Sequence, residues 1–163
     1  MVKLFDATDR QLEEIRELAH RIWPSAFRGI LTSAQISYML QWMYSLASLQ
    51  EQVASGHRFL LANENGPFIG YASYQINDQA GTARLHKIYV LPSAQGRGAG
   101  TLLLQEVIRR SGAAKQSSLR LNVNRLNNVV CFYKDHGFRI IGEEDNDIGN
   151  GYFMNDYVME LIL

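Results

Sequence analysis

Leu85-His86-Lys87-Ile88-Tyr89-Val90-Leu91-Pro92-Ser93-Ala94-Gln95-Gly96-Arg97-Gly98-Ala99-Gly100-Thr101 is the stretch on which the reading of this chain turns. Its first part is rich in branched and aromatic residues and stops at a proline, so Thr82 to Leu91 reads as a strand. After the glycines, Leu102, Leu103, Val107 and Ile108 give a helical stripe that ends near Gly112. The glycines between strand and helix let backbone N–H groups approach a ligand closely and point inward together. The helix that begins there adds a partial positive charge. Such a turn is a candidate site for an anion such as a pyrophosphate, and Arg97 could add a charged hydrogen bond. A tight turn with no ligand is the alternative reading of a bare glycine cluster. Two other phosphate motifs fail on spacing. The dinucleotide fingerprint needs glycine where Thr101 stands, and an acidic residue where the next strand offers Leu121, Asn122 and Val123. The nucleoside-triphosphate loop needs a Gly-Lys-Ser/Thr that is absent.

Outward from this turn, the pattern predicts a mixed α/β fold. Val2 to Phe5 reads as a short strand. Thr8 and Gln11 form a capping box ahead of Leu12, Ile15, Leu18, Ala19 and Ile22, and Pro24 ends or kinks that helix. A second box, Thr32 to Gln35, precedes Ile36, Met39, Leu40 and Met43. The helical pattern then runs to Gly56, with a break near Ser45. His57 to Ala62, Phe68 to Ile76 and Thr82 to Leu91 form an antiparallel meander, turned at Asn65-Gly66 and over Asp78 to Gly81. Leu119 to Val123 reads as a strand and Asn127 to His136 as a helix, with Gly137 as its left-handed cap. Phe138 to Gly142 and Tyr152 to Leu163 read as the last strands, joined by a polar connection. The crossover helix after residue 100 feeds a parallel neighbour. That order predicts a mixed, mostly antiparallel sheet with helices on both faces.

Bulk properties narrow the function classes. A chain of 163 residues, 47% apolar and 20% charged, fits a single domain, residues 1–163. Lys plus Arg and Asp plus Glu are both 16, which gives no support for a nucleic-acid or anionic-membrane partner. With Cys131 as the single cysteine, no internal disulfide can form, and a reducing, cytoplasmic location is expected. No stretch approaches a membrane span. No metal-ligand spacing stands out.

Taken together, the motifs resemble those of the GNAT superfamily of N-acetyltransferases. Gln95, Gly98 and Gly100 match its Gln/Arg-x-x-Gly-x-Gly/Ala signature, and Leu85 to Pro92 looks like its signature strand. Phe132-Tyr133-Lys134-Asp135-His136-Gly137-Phe138 looks like its Leu/Phe-Tyr-x-x-x-Gly-Phe segment. The resemblance covers residue 57 onward most strongly. It implies acetyl-CoA as co-substrate, with no metal, bound where a bulge splays the signature strand from the next. By resemblance the pantetheine arm would meet the main chain of Ile88, Tyr89 and Val90. The pyrophosphate would sit on Gly96, Arg97, Gly98, Ala99, Gly100 and Thr101. A family asparagine that touches pantetheine falls by strict spacing on Leu126 and is carried to Asn127, one residue on.

The implied reaction is direct attack of a neutral amine on the thioester. A primary amine with pKa near ~10.4 is mostly charged at neutral pH, so a proton must be removed. Tyr133 matches the family tyrosine that protonates the departing thiolate; a core aromatic is its structural alternative. The family glutamate positions fall on Arg84 and Asn122, and neither is a base near neutrality. His86 is the candidate base, placed by strand alternation on the face of Arg84 and Ile88. A half-buried structural histidine and base-free catalysis through ordered water stay open beside it. Val90 is the candidate oxyanion donor, and Cys131 reads as a core residue rather than a nucleophile.

The acceptor expected is the primary amine of a small cationic molecule, a polyamine or amino-acid derivative. The features behind it are the acidic run Glu143, Glu144, Asp145 and Asp147, together with Asn155 and Asp156. The helical third holds Trp23, Phe27, Tyr38, Trp42 and Tyr44, some of which would line a cleft. A protein N-terminus or lysine is the alternative acceptor. A non-catalytic acyl-CoA sensor and a plain interaction domain are the alternative classes. A homodimer is possible by resemblance.

Overall fold

The computed structural model describes all residues, 1–163. Strands β1 (Val2–Asp6), β2 (Arg58–Glu64), β3 (Phe68–Gln79), β4 (Thr82–Val90), β5 (Ser118–Asn124), β6 (Arg139–Gly149) and β7 (Tyr152–Ile162) form one sheet. Helices α1 (Leu12–Ala26), α2 (Ser33–Tyr44) and α3 (Leu46–Ala54) separate β1 from β2. Helix α4 (Ala99–Ala113) joins β4 to β5, and α5 (Val129–Asp135) joins β5 to β6. The strand order is β1-β2-β3-β4-β5-β7-β6. Only β4 and β5 run parallel, as a crossover through α4 requires. The fold class read from the sequence is the one observed.

Local chemistry explains the boundaries. The Gln35 N–H donates to Thr32 Oγ1 at 3.1 Å, capping α2, and the Ser48 N–H donates to Ser45 Oγ at 3.2 Å, opening α3 at the expected break. Asn65-Gly66 and Asn150-Gly151 take positive φ at both positions and close two hairpins. Pro24 neither ends nor breaks α1. The Phe27 N–H still donates to Trp23 O at 3.0 Å beyond it, so the helix closes another turn.

The largest departure from expectation is at the C-terminus. The acidic run is not a connection but the middle of β6, which pairs with β7 from Arg139 to Gly149. An edge strand with one side in water carries charge at little cost, so the absence of apolar alternation hid it. Arg125 holds this run through Asp145 at 2.6 Å and Glu143 at 3.8 Å.

Both sheet faces are covered. On one, the Tyr71 hydroxyl donates to Tyr44 of α2 at 2.7 Å, and the Trp23 ring of α1 lies 5.5 Å from that of Tyr89. On the other, Arg110 of α4 donates to the Tyr74 hydroxyl at 3.0 Å. These contacts settle which residues share a face. In β3–β4, Lys87 pairs with Ser73 but Leu85 pairs with Tyr74, so His86 is an extra residue, a bulge. It flips the alternation. Arg84, Lys87 and Tyr89 all lie on the α1–α3 face, whereas Ile88, opposite Ala72, turns to the α4 face. The expected common face for His86 and Ile88 is therefore corrected: alternation fails across a bulge.

Past the bulge, β4 leaves β5. The two strands pair only from Thr82–Ser118 to Leu85–Leu121. The remainder of β4 leans on β3 alone, and Gly70 lets it come close: a Cβ there would meet Tyr89 O at 2.7 Å and Val90 Cα at 3.2 Å. Gly70→Ala is therefore expected to destabilise the protein by about 1–3 kcal/mol, the usual scale of overpacking. Urea unfolding monitored by circular dichroism checks it, and wild-type stability would show that β4 can shift freely.

Candidate active site

The divergence of β4 from β5 opens a cleft of about 1140 Å³. The Leu91 N–H donates to Ile69 O at 2.7 Å. By strand alternation the main-chain groups of Ile88 and Val90 then point away from β3, into the gap. Tyr89 turns its main chain to Tyr71 of β3 and gives the cleft its ring. Polar main chain facing a gap needs a partner, and an extended chain carrying amides would supply one.

At the mouth of the gap stands the glycine turn. Gly96 and Gly98 adopt φ of +79° and +85°, and nothing lies within 4 Å of where their Cβ atoms would be. Backbone conformation, not crowding, demands glycine here, and the space above the loop is open. Gly98 precedes α4 with no side chain capping that helix, so its first-turn N–H groups face the same opening. These features fit a diphosphate. Gln95, Gly96, Gly98, Ala99, Gly100 and Thr101 line the cleft. Arg97 does not: it pairs with Glu64 at 2.8 Å and donates to Ser93 O at 3.2 Å. Asn127 also lines the cleft, its Oδ1 accepting the Val129 N–H at 3.1 Å and its amide nitrogen left over. Leu126, the strict-spacing position, is 75% exposed.

Tyr133 reaches the cleft from α5, packed edge-on against Phe132 and Phe138. Burial, with Tyr89 nearby, holds its hydroxyl proton well above the ordinary phenol range, so it is a neutral donor at any physiological pH.

The polar floor differs from expectation. His86 lines the cleft, but its Nε2 lies 3.0 Å from Gln75 Oε1 and its ring stacks on His57 at 3.9 Å. Gln75 gives its amide nitrogen to Ser55 O at 3.2 Å, so its oxygen is the acceptor and His86 Nε2 carries a proton. Burial, helped by His57, Lys87 and Arg84, pushes the His86 pKa down to about 2. These contacts suit the structural reading of His86. Arg84 and Asn122, at the family's base positions, bond each other at 2.9 Å. Lys87 is 5% exposed, donates to Gln52 at 2.6 Å, and lies over the Tyr44 and Phe59 rings. Burial lowers its pKa to about 8, which leaves it mainly cationic at neutral pH.

Among the cleft-lining residues the only carboxylate is Asp156 of β7. The acidic run of β6 lines the cleft nowhere, and Asn155 stands exposed outside it. Trp23, Phe27 and Trp42 line it, whereas Tyr44 is core and Tyr38 ties α2 to Ile148 O at 2.7 Å. Cys131 is exposed and unpaired, not a core residue. Of these, Asp156 had the faintest signal in the sequence: one polar residue at an inward position of a strand.

The His86 shift yields a prediction. The unfolded chain takes up a proton near 6.5 and the folded one not until about 2, so this group costs stability only as pH falls below 6.5. The His86 ring signals in proton NMR are expected to stay fixed between about pH 5 and 8. A midpoint near its ordinary value would show an accessible base instead.

Comparison with known proteins agrees with this geometry. The family model described as Acetyltransferase (GNAT) domain matches residues 29–161. An uncharacterized N-acetyltransferase of Mycobacterium tuberculosis is 31% identical over 151 residues, covering 90% of this chain and 94% of that protein. Spermidine N(1)-acetyltransferase of Thermoplasma acidophilum is 27% identical over 158 residues, covering 91% and 89%. The crystal structure of PaiA N-acetyltransferase from Thermoplasma acidophilum in complex with coenzyme A superposes with a TM-score of 0.85 at 25% identity, over 100% of this chain and 99% of that one. The chain belongs to the GNAT acetyltransferase family and is an N-acetyltransferase.

Proposed function

We propose that this protein, as one domain spanning residues 1–163, transfers the acetyl group of acetyl-CoA to the primary amine of a small cationic molecule. The observation that carries the reading is the gap between β4 and β5, with main chain that β5 does not pair along one wall, where Val90 O accepts only the Gln95 side chain at 3.3 Å, and a glycine cradle at its mouth. Ile88 and Val90 would bond the pantetheine amides and Gly96 to Thr101 the diphosphate, with Asn127 assisting. Arg97 would join the phosphates by exchanging its pairing with Glu64, since its own end of that pair is exposed to solvent. The Val90 N–H is the donor for the developing oxyanion. Tyr133 donates its proton to the sulfur as the carbon–sulfur bond breaks.

The small cationic acceptor is supported by two things. One is the spermidine acetyltransferase of Thermoplasma acidophilum, alike over nearly its whole length. The other is Asp156, a lone carboxylate in a cleft otherwise lined by apolar and neutral polar groups, Lys87 and Arg28. A reducing cytoplasm suits the single, unpaired Cys131.

Thiol release from acetyl-CoA, measured over a panel of amines and peptides, tests the reading. Turnover with polyamines or amino-acid amines is expected. Turnover with peptides alone would move the acceptor to protein, and coenzyme binding without turnover on any acceptor would indicate a sensor. Tyr133→Phe is expected to lower kcat by about a hundredfold or more, at unchanged coenzyme affinity in calorimetry. Full activity in that variant would remove its role as acid.

A further inference from the structure

Asp156 and Glu160 lie on the same face of β7 and are similarly buried, at 6% and 8% exposure. Their partners differ. Glu160 receives Arg120 Nε at 2.6 Å, a charge-assisted bond across to β5. Asp156 Oδ1 is buried with no partner at all. Its Oδ2 has only a 3.4 Å contact from Asn122 Nδ2, which donates more closely to Glu144, at 2.9 Å. The nearby Arg125 spends its guanidinium on the main-chain oxygen of Asp156 and on Asp145. A buried carboxylate oxygen without a donor costs free energy, and this one, unlike that of Glu14, belongs to a side chain lining the cleft, where a ligand can complete it.

The surroundings fix which ligand. Burial raises the Asp156 pKa, and Glu144 of β6 adds to this; the Asn122 bond of β5 and Arg125 oppose it. Burial raises the Tyr89 pKa and the Asp156 charge adds to it, across the cleft that both residues line. Lys87 lies on the same sheet face, on β4, and repels cations from that side. A cation entering the cleft is thus drawn to β7 and pushed from β4. A compact group with several N–H donors fits an oxygen that has none.

We propose that Asp156 receives the primary ammonium of the acceptor at Oδ1 and accepts its proton, serving as the base for transfer. This rests on the acetyltransferase reading above and names its acceptor-side catalytic residue. The protons balance. An ammonium brings three. Asp156 takes one and passes it to solvent. The neutral nitrogen attacks the thioester carbon, forming the carbon–nitrogen bond. The carbon–sulfur bond then breaks, and its electron pair stays on sulfur, which takes the Tyr133 proton. The nitrogen's second proton restores Tyr133, and the third remains on the amide. One proton reaches solvent per turnover, with no oxidant or metal involved.

The test compares wild type with Asp156→Asn, which keeps the shape and removes the charge, over primary amines whose own pKa runs from about 7 to ~10.4. Coenzyme affinity is expected to change by less than about twofold, because the carboxylate lies on the acceptor side. For the most basic amines kcat/KM is expected to fall by about 10²–10⁴, the range for loss of a general base. For amines already neutral at the assay pH the deficit is expected to shrink towards tenfold or less. A merely structural role would give the same deficit across the series, and that result, or no deficit, overturns the proposal. Should the variant fail to bind coenzyme, wild type co-crystallised with a primary amine decides. Amine nitrogen within hydrogen-bond distance of Asp156 Oδ1 supports the assignment, and nitrogen elsewhere in the cleft overturns it. A wild type that neither binds coenzyme nor transfers acetyl sinks the enzyme reading and this one with it. An active wild type with an equally active Asp156→Asn sinks this one alone.

Discussion

Two parallel strands that stop pairing after four residues are the constraint from which the rest of this structure follows. From Thr82 to Leu85, β4 is an ordinary interior strand bonded to β5. At His86 a residue is inserted, the strand gains local twist, and β4 departs with β3. Main chain that would have been satisfied by β5 is left facing a gap. A fold does not ordinarily leave such groups without partners, and here they line one wall of a large cleft. The glycine turn that follows directly continues the same logic. Its N–H groups are aimed at open space, at the positive end of a helix.

The bulge also decides the chemistry of the floor. By breaking alternation it brings His86 into stacking with His57 and puts its neighbour Lys87 on the face of Arg84 and Tyr89, beneath α1 to α3. Regular alternation would have divided His86 and Lys87 between opposite faces. Crowding and burial then keep the imidazole neutral, and the lysine becomes the cation of the floor. The carboxylate comes from the far side of the split, on β7. Positive and negative groups thus stand on the two walls of one opening. Buried charge of this kind opposes stability, and its concentration around the cleft is what a site rather than a core looks like.

The sequence made most of this legible, but unevenly. The glycine turn, the meander and the crossover helix could be read because turn residues and period are local properties. Thr32, Ser45, Asn65-Gly66 and Gly137 each act where local chemistry says they should. Strand β6 could not be read, because an edge strand need not alternate and its carboxylates look like a solvated loop. The face of Ile88 could not be read because a bulge is a property of the pair of strands, not of either one. The neutrality of His86 depends on Gln75 and His57, brought close only by folding. Asp156 stood in the sequence as one acidic residue among several. What separates it is a buried oxygen without a partner on a side chain that lines the cleft, and both are tertiary facts.

Coenzyme A filling the split and satisfying the main chain there is the central requirement of the enzyme's chemistry. Amide hydrogen exchange of the purified protein, with and without the coenzyme, measures this at the atoms concerned. The N–H groups of Ile88 and Val90, and those from residue 96 to 101, are expected to exchange fast alone and to slow together by tenfold or more when it is added. Unchanged exchange at these positions, with coenzyme present at saturating concentration, would contradict the account.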